Sequence, residues 1–173
     1  VFTSIDTVVQ DDHAVHYPTE FLNSLHPTGT PPHLLTLKVG IPIICLRNLT
    51  PTIANGTRMI IKNITPNCLQ VTIATGPGKG KTSFIPRIPL IPSDSTLPFS
   101  FKRIQFPVQL CFAMTINKAQ GQTLQVAGLD LRRPCFTHGQ FYVACSRVTA
   151  ASNLYLYTPE GTTRNVVYTE ILT

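Results

Sequence analysis

The hydrophobic positions in the first half of the chain fall into short runs separated by turn-forming residues. These runs are rich in β-branched side chains, and a turn signal at Asn55-Gly56 separates the first run from the others. Short strands at this spacing predict a small barrel or a bent sheet. The predicted strands cover residues 41–49, 58–64, 68–75 and 83–91.

The pattern changes after Pro98. Residues 108–115 are almost continuously apolar, which is typical of a buried strand in a parallel sheet. A strand, a helix and a further strand follow, and this order predicts α/β architecture. The three elements are predicted at residues 125–131, 137–148 and 154–158.

The helix predicted at residues 137–148 has a clear start signal. Thr137 is a good N-cap, Gln140 completes a capping box, and Phe136 and Phe141 occupy the positions of a hydrophobic staple. On such a helix Gln140 and Arg147 lie on one face, about 10 Å apart along the axis.

Composition excludes several protein classes. The chain has 173 residues, of which 43% are hydrophobic and 13% charged, so it can bury a core. It contains no signal peptide and no apolar run of the roughly 18–20 residues that a membrane span needs. Because Val1 stands where a Met is expected, we interpret the chain as part of a longer protein.

Charge is distributed unevenly. Residues 1–37 hold four of the eight acidic residues and no Lys or Arg, and we expect them to wrap the fold or to meet another part of the protein. All 14 Lys and Arg residues follow, which gives residues 38–173 a net charge of +10. A basic body favours a polyanionic partner such as nucleic acid, although a merely basic surface is the alternative.

The five cysteines show neither a zinc-binding spacing nor a disulfide framework. Most of them lie in apolar stretches, as reduced buried thiols do. We therefore expect an intracellular protein without a structural metal. The cysteines are Cys45, Cys68, Cys111, Cys135 and Cys145.

Residues 75–82, TGPGKGKT, superficially resemble a phosphate-binding P-loop. A P-loop ending at these residues needs glycine where Thr75 stands, and it must open a helix. Pro86, Pro89 and Pro92 follow instead. We expect a basic hairpin tip that could touch a nucleic-acid backbone, and no ATP site.

Polar residues appear where the apolar run 108–115 ends. Hydroxyl, amide and backbone donors at the carboxyl end of a strand suit phosphate oxygens. The alternative is an ordinary strand-to-helix turn capped by Thr115. For Arg147 the two interpretations are an arginine finger, which stabilises charge on a transferring phosphoryl group, and a helix-end Arg that bonds to carbonyls.

Two long segments resemble the last two motifs of Pif-type, RecD-like DNA helicases, and their sequences are most similar to those of the Helitron-associated members. They are MTINKAQGQTL at residues 114–124 and GQFYVACSRV at residues 139–148. Further similarity covers residues 17–23, 46–49, 55–58 and 101–108. Two positions depart from the family pattern: Asn117 stands where many relatives carry His, and Cys145 replaces a commoner Leu.

The resemblance implies a C-terminal portion of an ATP-dependent, 5′→3′ DNA helicase that couples ATP hydrolysis to movement on single-stranded DNA. Its fold would be the second RecA-like lobe, a parallel sheet with flanking helices, carrying a small SH3-like β-barrel insert. The lobe would comprise residues 1–54 and 98–173, and the insert residues 55–97.

The resemblance also implies functional residues. Arg147 would be the catalytic arginine finger, and Gln120, Gly121, Gln140 and Arg147 would bind the nucleotide. The expected contacts to single-stranded DNA are Thr115, Asn117 and Lys118.

The resemblance implies that the helicase needs a first RecA-like lobe, which these 173 residues do not contain. Because the sequence has no P-loop, ATP and Mg²⁺ binding would need the first RecA-like lobe, and we expect no ATP hydrolysis by this chain alone. The protein would act in the nucleus or in mitochondria.

Two other classes stay open. One is a non-catalytic DNA-binding or protein-docking module derived from a helicase lobe. The other is a small β-barrel RNA-binding protein, for which the predicted strands offer only Phe84 as a stacking platform.

Overall fold

The computed structural model describes residues 1–9, 17–92 and 97–171, so Asp11 and Asp12 of the acidic segment lie outside the described residues. The chain divides into two compact units, Val1–Phe112 and Ala113–Thr173. Within the described ranges, no helix is both long enough and apolar enough to cross a membrane.

The first unit is built almost entirely from antiparallel strands. Its elements are β1 (Phe2–Thr3), β2 (Ile5–Val8), α1 (Thr19–Ser24), β3 (Leu34–Leu35), β4 (Pro42–Cys45), β5 (Arg58–Ile64), β6 (Cys68–Ile73), β7 (Thr82–Pro86), β8 (Ile88–Leu90), β9 (Phe101–Gln105) and β10 (Val108–Leu110). β1 pairs with β3, β2 pairs with β9 and β9 with β8, and the remaining strands form a five-stranded sheet in the order β10-β4-β5-β6-β7.

The five-stranded sheet forms because its strands alternate between apolar and polar side chains. Along β6, Leu69, Val71 and Ile73 are buried while the intervening residues are half-buried, so one face of the strand enters the core. The expected strands at 58–64 and 68–75 are confirmed. The expected barrel is not: within the described residues the sheet is open, with β7 and β10 at its two edges.

We expected residues 108–115 to form a strand of a parallel sheet. This prediction is wrong in both the direction and the length of the strand. β10 ends at Leu110 and pairs antiparallel with β4, with Val108 opposite Cys45. The apolar run does not mark a strand buried on both faces: Phe112 is 72% exposed, and the boundary between the two units follows it.

The second unit contains the only parallel strand pair among the described residues, in which β11 pairs with β12. Both strands agree with those expected at residues 125–131 and 154–158. The elements are α2 (Ile116–Ala119), β11 (Ala127–Asp130), α3 (Gln140–Cys145), a 3₁₀ turn (Ala151–Asn153), β12 (Leu154–Tyr157) and a second 3₁₀ turn (Thr169–Ile171).

The helix expected at residues 137–148 is present but shorter. α3 begins at Gln140, and its N-cap is Gly139, whose φ of 70° is a left-handed conformation that glycine adopts without strain. The capping box does not form as expected, because the Gln140 side chain accepts a hydrogen bond from the backbone N–H of Phe136 at 3.0 Å. The hydrophobic staple is also absent, since Phe136 is 74% exposed.

A buried ion pair holds the three-stranded sheet of the first unit together. Asp6 on β2 lies opposite Arg103 on β9, and both side chains are fully buried. Arg103 donates from Nε to Asp6 Oδ1 at 2.9 Å and from Nη2 to Oδ2 at 2.6 Å. Ser4 donates a further hydrogen bond to Asp6 at 2.7 Å. Asp6, one of the acidic residues of the N-terminal segment, therefore serves as an internal counterion of Arg103.

Arg103 also connects segments that are distant in sequence. Its Nη1 donates to the carbonyl of Pro31 at 3.0 Å, and its Nη2 donates to that of Leu22 in α1 at 3.4 Å. Leu22 belongs to a second, smaller core with Val8, Phe99 and Phe101. The arginine thus fixes α1 and the following loop against the sheet.

We expect Arg103→Met to lower the free energy of unfolding of the first unit by about 3–5 kcal/mol, because it leaves the Asp6 carboxylate buried without its partner. Urea unfolding followed by circular dichroism measures the change. Lys102→Met removes a charge from the neighbouring, half-buried position and is expected to cost less than about 1 kcal/mol. Equal losses in the two variants would contradict a specific role for the ion pair.

Candidate functional site

Thr115 opens the first candidate segment as the N-cap of α2. Its hydroxyl accepts a hydrogen bond from the backbone N–H of Lys118 at 3.4 Å, and its carbonyl accepts from Lys118 and Ala119. This geometry is the ordinary turn capped by Thr115 that we described from the sequence as the alternative to a phosphate-binding site. Thr115, Asn117 and Lys118 are all exposed, so the three expected DNA contacts are accessible to solvent in this unit.

Gln120 and Gly121 follow directly after α2. Gly121 has φ of 75°, a conformation that other residues adopt only with strain, and no atom lies within 4 Å of a Cβ added there. The turn exposes both residues. The neighbouring Gln122 donates from its side chain to the carbonyl of Lys118 at 3.0 Å, which closes the turn against α2.

Arg147 connects the two candidate segments. Its Nε donates to the carbonyl of Val143 at 2.8 Å, its Nη1 to the carbonyl of Gln122 at 3.2 Å, and its Nη2 to the Ser146 hydroxyl at 2.9 Å. Its own carbonyl accepts from the backbone N–H of Leu124 at 2.8 Å. Residues 114–124 and 139–148 are therefore brought together by this side chain and its backbone.

The expected residues are only partly assembled into one site. α2 packs against α3, and Arg147 follows the carboxyl end of α3 while Gln140 begins the helix. The Gln140 carboxamide oxygen points back to Phe136, as described above. In this state both side chains support local structure. Gln122, whose carbonyl receives Arg147, was not singled out from the sequence although it lies inside the quoted motif.

The glycine-rich segment at residues 75–82 forms the expected hairpin. It connects the antiparallel strands β6 and β7, and the backbone N–H of Gly80 donates to the carbonyl of Ile73 at 2.8 Å. No helix follows it, since β7 begins at Thr82. The geometry is not that of a phosphate-binding loop that opens a helix.

All five cysteines are described, and each is a free thiol. Burial raises the pKa of the Cys45 thiol, and hydrogen bonds with the backbone of Arg47 and Leu46 act in the opposite direction. Burial also raises the pKa values of Cys135 and Cys145. Within the described ranges, no three His, Cys, Asp or Glu side chains come together to hold a metal ion.

Comparison with known proteins identifies the family. A sequence profile described as "DNA helicase Pif1, 2B domain" matches residues 20–64. The chain is 31% identical over 130 residues to the ATP-dependent DNA helicase PIF6 of Trypanosoma brucei brucei, which covers 71% of this chain and 16% of that protein. It is 32% identical over 129 residues to human ATP-dependent DNA helicase PIF1, covering 70% of this chain and 19% of that protein.

Solved structures show the same fold. Bacteroides Pif1 in complex with ADP-AlF3 and single-stranded DNA aligns with a TM-score of 0.68 at 19% identity, over 99% of this chain and 37% of that one. Candida albicans Pif1 aligns with a TM-score of 0.65 at 24% identity, over 91% of this chain and 39% of that one. This chain belongs to the Pif1-type helicases.

The Pif1-type assignment confirms the family expected from the two motifs. None of the relatives above tests the nearer resemblance to Helitron-associated members, which stays a prediction. The chain spans only 16–32% of the lengths of the first two curated relatives that it matches. What the whole protein does is therefore a matter for proposal.

We expect Arg147→Ala to lower the free energy of unfolding of the second unit by about 2 kcal/mol, because three hydrogen bonds from a charged, half-buried group are lost. Chemical unfolding monitored by backbone NMR signals of the second unit measures the change. Arg133→Ala is the control, since Arg133 is exposed and makes no hydrogen bond with the described residues. A loss of less than about 0.5 kcal/mol would contradict a structural role for Arg147.

Proposed function

We propose that this chain is the C-terminal portion of an ATP-dependent DNA helicase that moves 5′→3′ on single-stranded DNA and unwinds duplexes. The carrying observation is that relatives 31–34% identical over 70–71% of the chain are all named ATP-dependent DNA helicases. The second candidate is a non-catalytic DNA-binding or protein-docking module derived from a helicase lobe, in which the hydrogen bonds of Arg147 would have a structural role only. A Gly-x-x-x-x-Gly-Lys-[Ser/Thr] motif elsewhere in the protein would support the helicase.

We propose the second RecA-like lobe for residues 1–54 and 98–173, with an SH3-like insert at residues 55–97. The parallel pair β11–β12 supports the lobe, because parallel strands are the building units of α/β folds. The antiparallel strands β5, β6 and β7 supply the β structure of the proposed insert, in one sheet with β4 and β10. The first lobe would be supplied by another part of the protein.

Arg147 has the proposed catalytic role. A guanidinium that is held by two carbonyls is preorganised, and it would stabilise the charge that develops on a transferring γ-phosphoryl group. Gln120, Gly121 and Gln140 would complete the nucleotide contacts from the turn after α2 and from the start of α3. Mg²⁺ would neutralise phosphate charge, but no described cluster of acidic residues fits it, so we assign its ligands to the remainder of the protein.

Thr115, Asn117 and Lys118 have the proposed role in binding single-stranded DNA. The three residues occupy the exposed start of α2, where a hydroxyl, an amide and an ammonium group can contact phosphate oxygens without reading base sequence. The basic character of residues 38–173 supports a polyanionic partner. A helicase of this kind acts on chromosomal or organellar DNA, so we place the protein in the nucleus, with mitochondria as the alternative.

In the intact protein we expect Arg147→Ala to lower the rate of ATP hydrolysis by about 10³-fold or more, since an arginine finger contributes that much. Binding of single-stranded DNA should change by less than about threefold. The 173-residue chain alone is the negative control and should show no hydrolysis. Equal losses of hydrolysis and DNA binding would indicate a structural role, and hydrolysis by the chain alone that Arg147→Ala abolishes would refute the need for another lobe.

We expect Thr115→Ala to weaken binding of a fluorescent oligo-dT and to leave the slope of log K against log salt nearly unchanged, because a neutral hydroxyl neutralises no phosphate and releases no counterion. Fluorescence anisotropy across a salt series measures both quantities. Thr115→Ser keeps the hydroxyl and serves as the control. Unchanged affinity in Thr115→Ala would remove this residue from the DNA surface.

A further inference from the structure

A cavity of about 560 Å³ lies at the carboxyl ends of the two parallel strands of the second unit. The loop after β11 and the segment after β12 form its walls, and the backbone N–H of Leu131 donates to the carbonyl of Tyr157 at 2.9 Å beside it. In open α/β sheets, ligands bind outside the carboxyl ends of strands. The residues assigned to ATP and DNA above do not line this cavity.

Arg132 lies in the wall of this cavity and pairs with Asp130. Its Nε donates to both carboxylate oxygens of Asp130 at 3.0 Å, and its Nη2 donates to Oδ2 at 2.5 Å. The same hydrogen bonds hold the pKa of Asp130 below its ordinary value. Nη1 makes no hydrogen bond with the described residues, which leaves this end of the fork for a ligand.

The segment after β12 offers a further donor. Arg164 lines the cavity and forms neither a hydrogen bond nor an ion pair with any described residue. Thr162 and Thr163 precede it in the same wall, and the Thr163 hydroxyl is buried without a hydrogen-bond partner in the structure. Because the Thr163 hydroxyl oxygen is enclosed by protein atoms, Arg164 is the donor that this segment offers to a ligand.

The remaining wall has the mixed character that a whole nucleotide requires. Leu131, Pro134 and Pro159 supply apolar surface, and Glu160 supplies a carboxylate. Guanidinium groups suit phosphate, an apolar wall suits a base, and a carboxylate accepts hydrogen bonds from amino or hydroxyl groups. The volume falls within the range of small-molecule sites, about 300–1,000 Å³.

We propose that this cavity binds one nucleotide unit, with its phosphate on Arg132 and Arg164. The site lies in residues 131–164 and is distinct from both proposed helicase sites. The nucleotide is one unit of a bound DNA strand, which adds a second contact to the DNA surface and in this respect rests on the proposed function. A free mononucleotide carries the same chemistry, and the experiment distinguishes the two sources.

The experiment compares Arg164→Gln with Arg133→Gln in the full chain. Arg133 follows Arg132 but does not line this cavity. The two variants therefore lose the same charge, and only Arg164→Gln changes the lining of the cavity. Fluorescence anisotropy with a labelled oligo-dT should show about fivefold to tenfold weaker binding for Arg164→Gln and a salt slope reduced by about 0.7. Arg133→Gln should change the affinity by less than twofold.

A second measurement decides the source of the nucleotide. Backbone amide signals of Thr162 and Thr163 are followed by NMR during titration with dTMP and, separately, with inorganic phosphate. Shifts with dTMP that disappear in Arg164→Gln support the cavity even if oligo-dT binding is unaffected, and they then assign it to free nucleotides.

Two outcomes overturn the proposal. Equal weakening of oligo-dT binding by Arg164→Gln and Arg133→Gln, without a dTMP response, would show general electrostatic attraction only. An absence of amide shifts with dTMP together with unchanged oligo-dT binding in Arg164→Gln would show that the cavity holds no nucleotide. A chain that binds no DNA but responds to dTMP would refute the proposed DNA surface at Thr115 and would still support nucleotide binding in the cavity.

Discussion

The buried ion pair between Asp6 and Arg103 determines how the first unit is assembled. Removing both charges from water is costly, and the cost is offset by the paired hydrogen bonds to Asp6 together with those that Arg103 donates to the carbonyls of Pro31 and Leu22. The arginine must therefore be in place for β2, α1 and the loop at Pro31 to lie together. The part of the chain that matches the Pif1 2B domain begins at residue 20, within α1, so its first element is anchored through this interaction.

An arginine has a comparable part in the second unit, where Arg147 reaches the carbonyls of Val143 and Gln122. The difference lies in burial. Arg103 is fully buried beside a carboxylate, whereas Arg147 is half-buried and bonds only to neutral groups. A full positive charge thus remains near the surface, held in a defined direction. Such a group can stabilise a developing negative charge without first giving up an ion pair.

Much of the fold could be predicted wherever side chains alternate with the strand period. In β5 and β6 the inward positions are apolar, so the pattern alone identifies the strands. β9 could not be found in this way, because Arg103 and Gln105 occupy its inward positions. Only Asp6, which lies 97 residues away in sequence, makes an inward arginine acceptable. Local patterning carries no information about such a distant counterion.

The candidate site shows the same division between local and distant information. The two motifs predicted the candidate residues of the site, and the hydrogen bonds of Arg147 show why the two motifs form one structural unit. Two of its three side-chain hydrogen bonds go to backbone carbonyls, which are fixed by the fold, while the third goes to the side-chain hydroxyl of Ser146, a residue exposed to solvent. The Nη2 group is accordingly the one that can change partner at least cost. If Arg147 contacts a phosphoryl group, it does so through Nη2 while Nε and Nη1 keep α3 joined to the turn after α2.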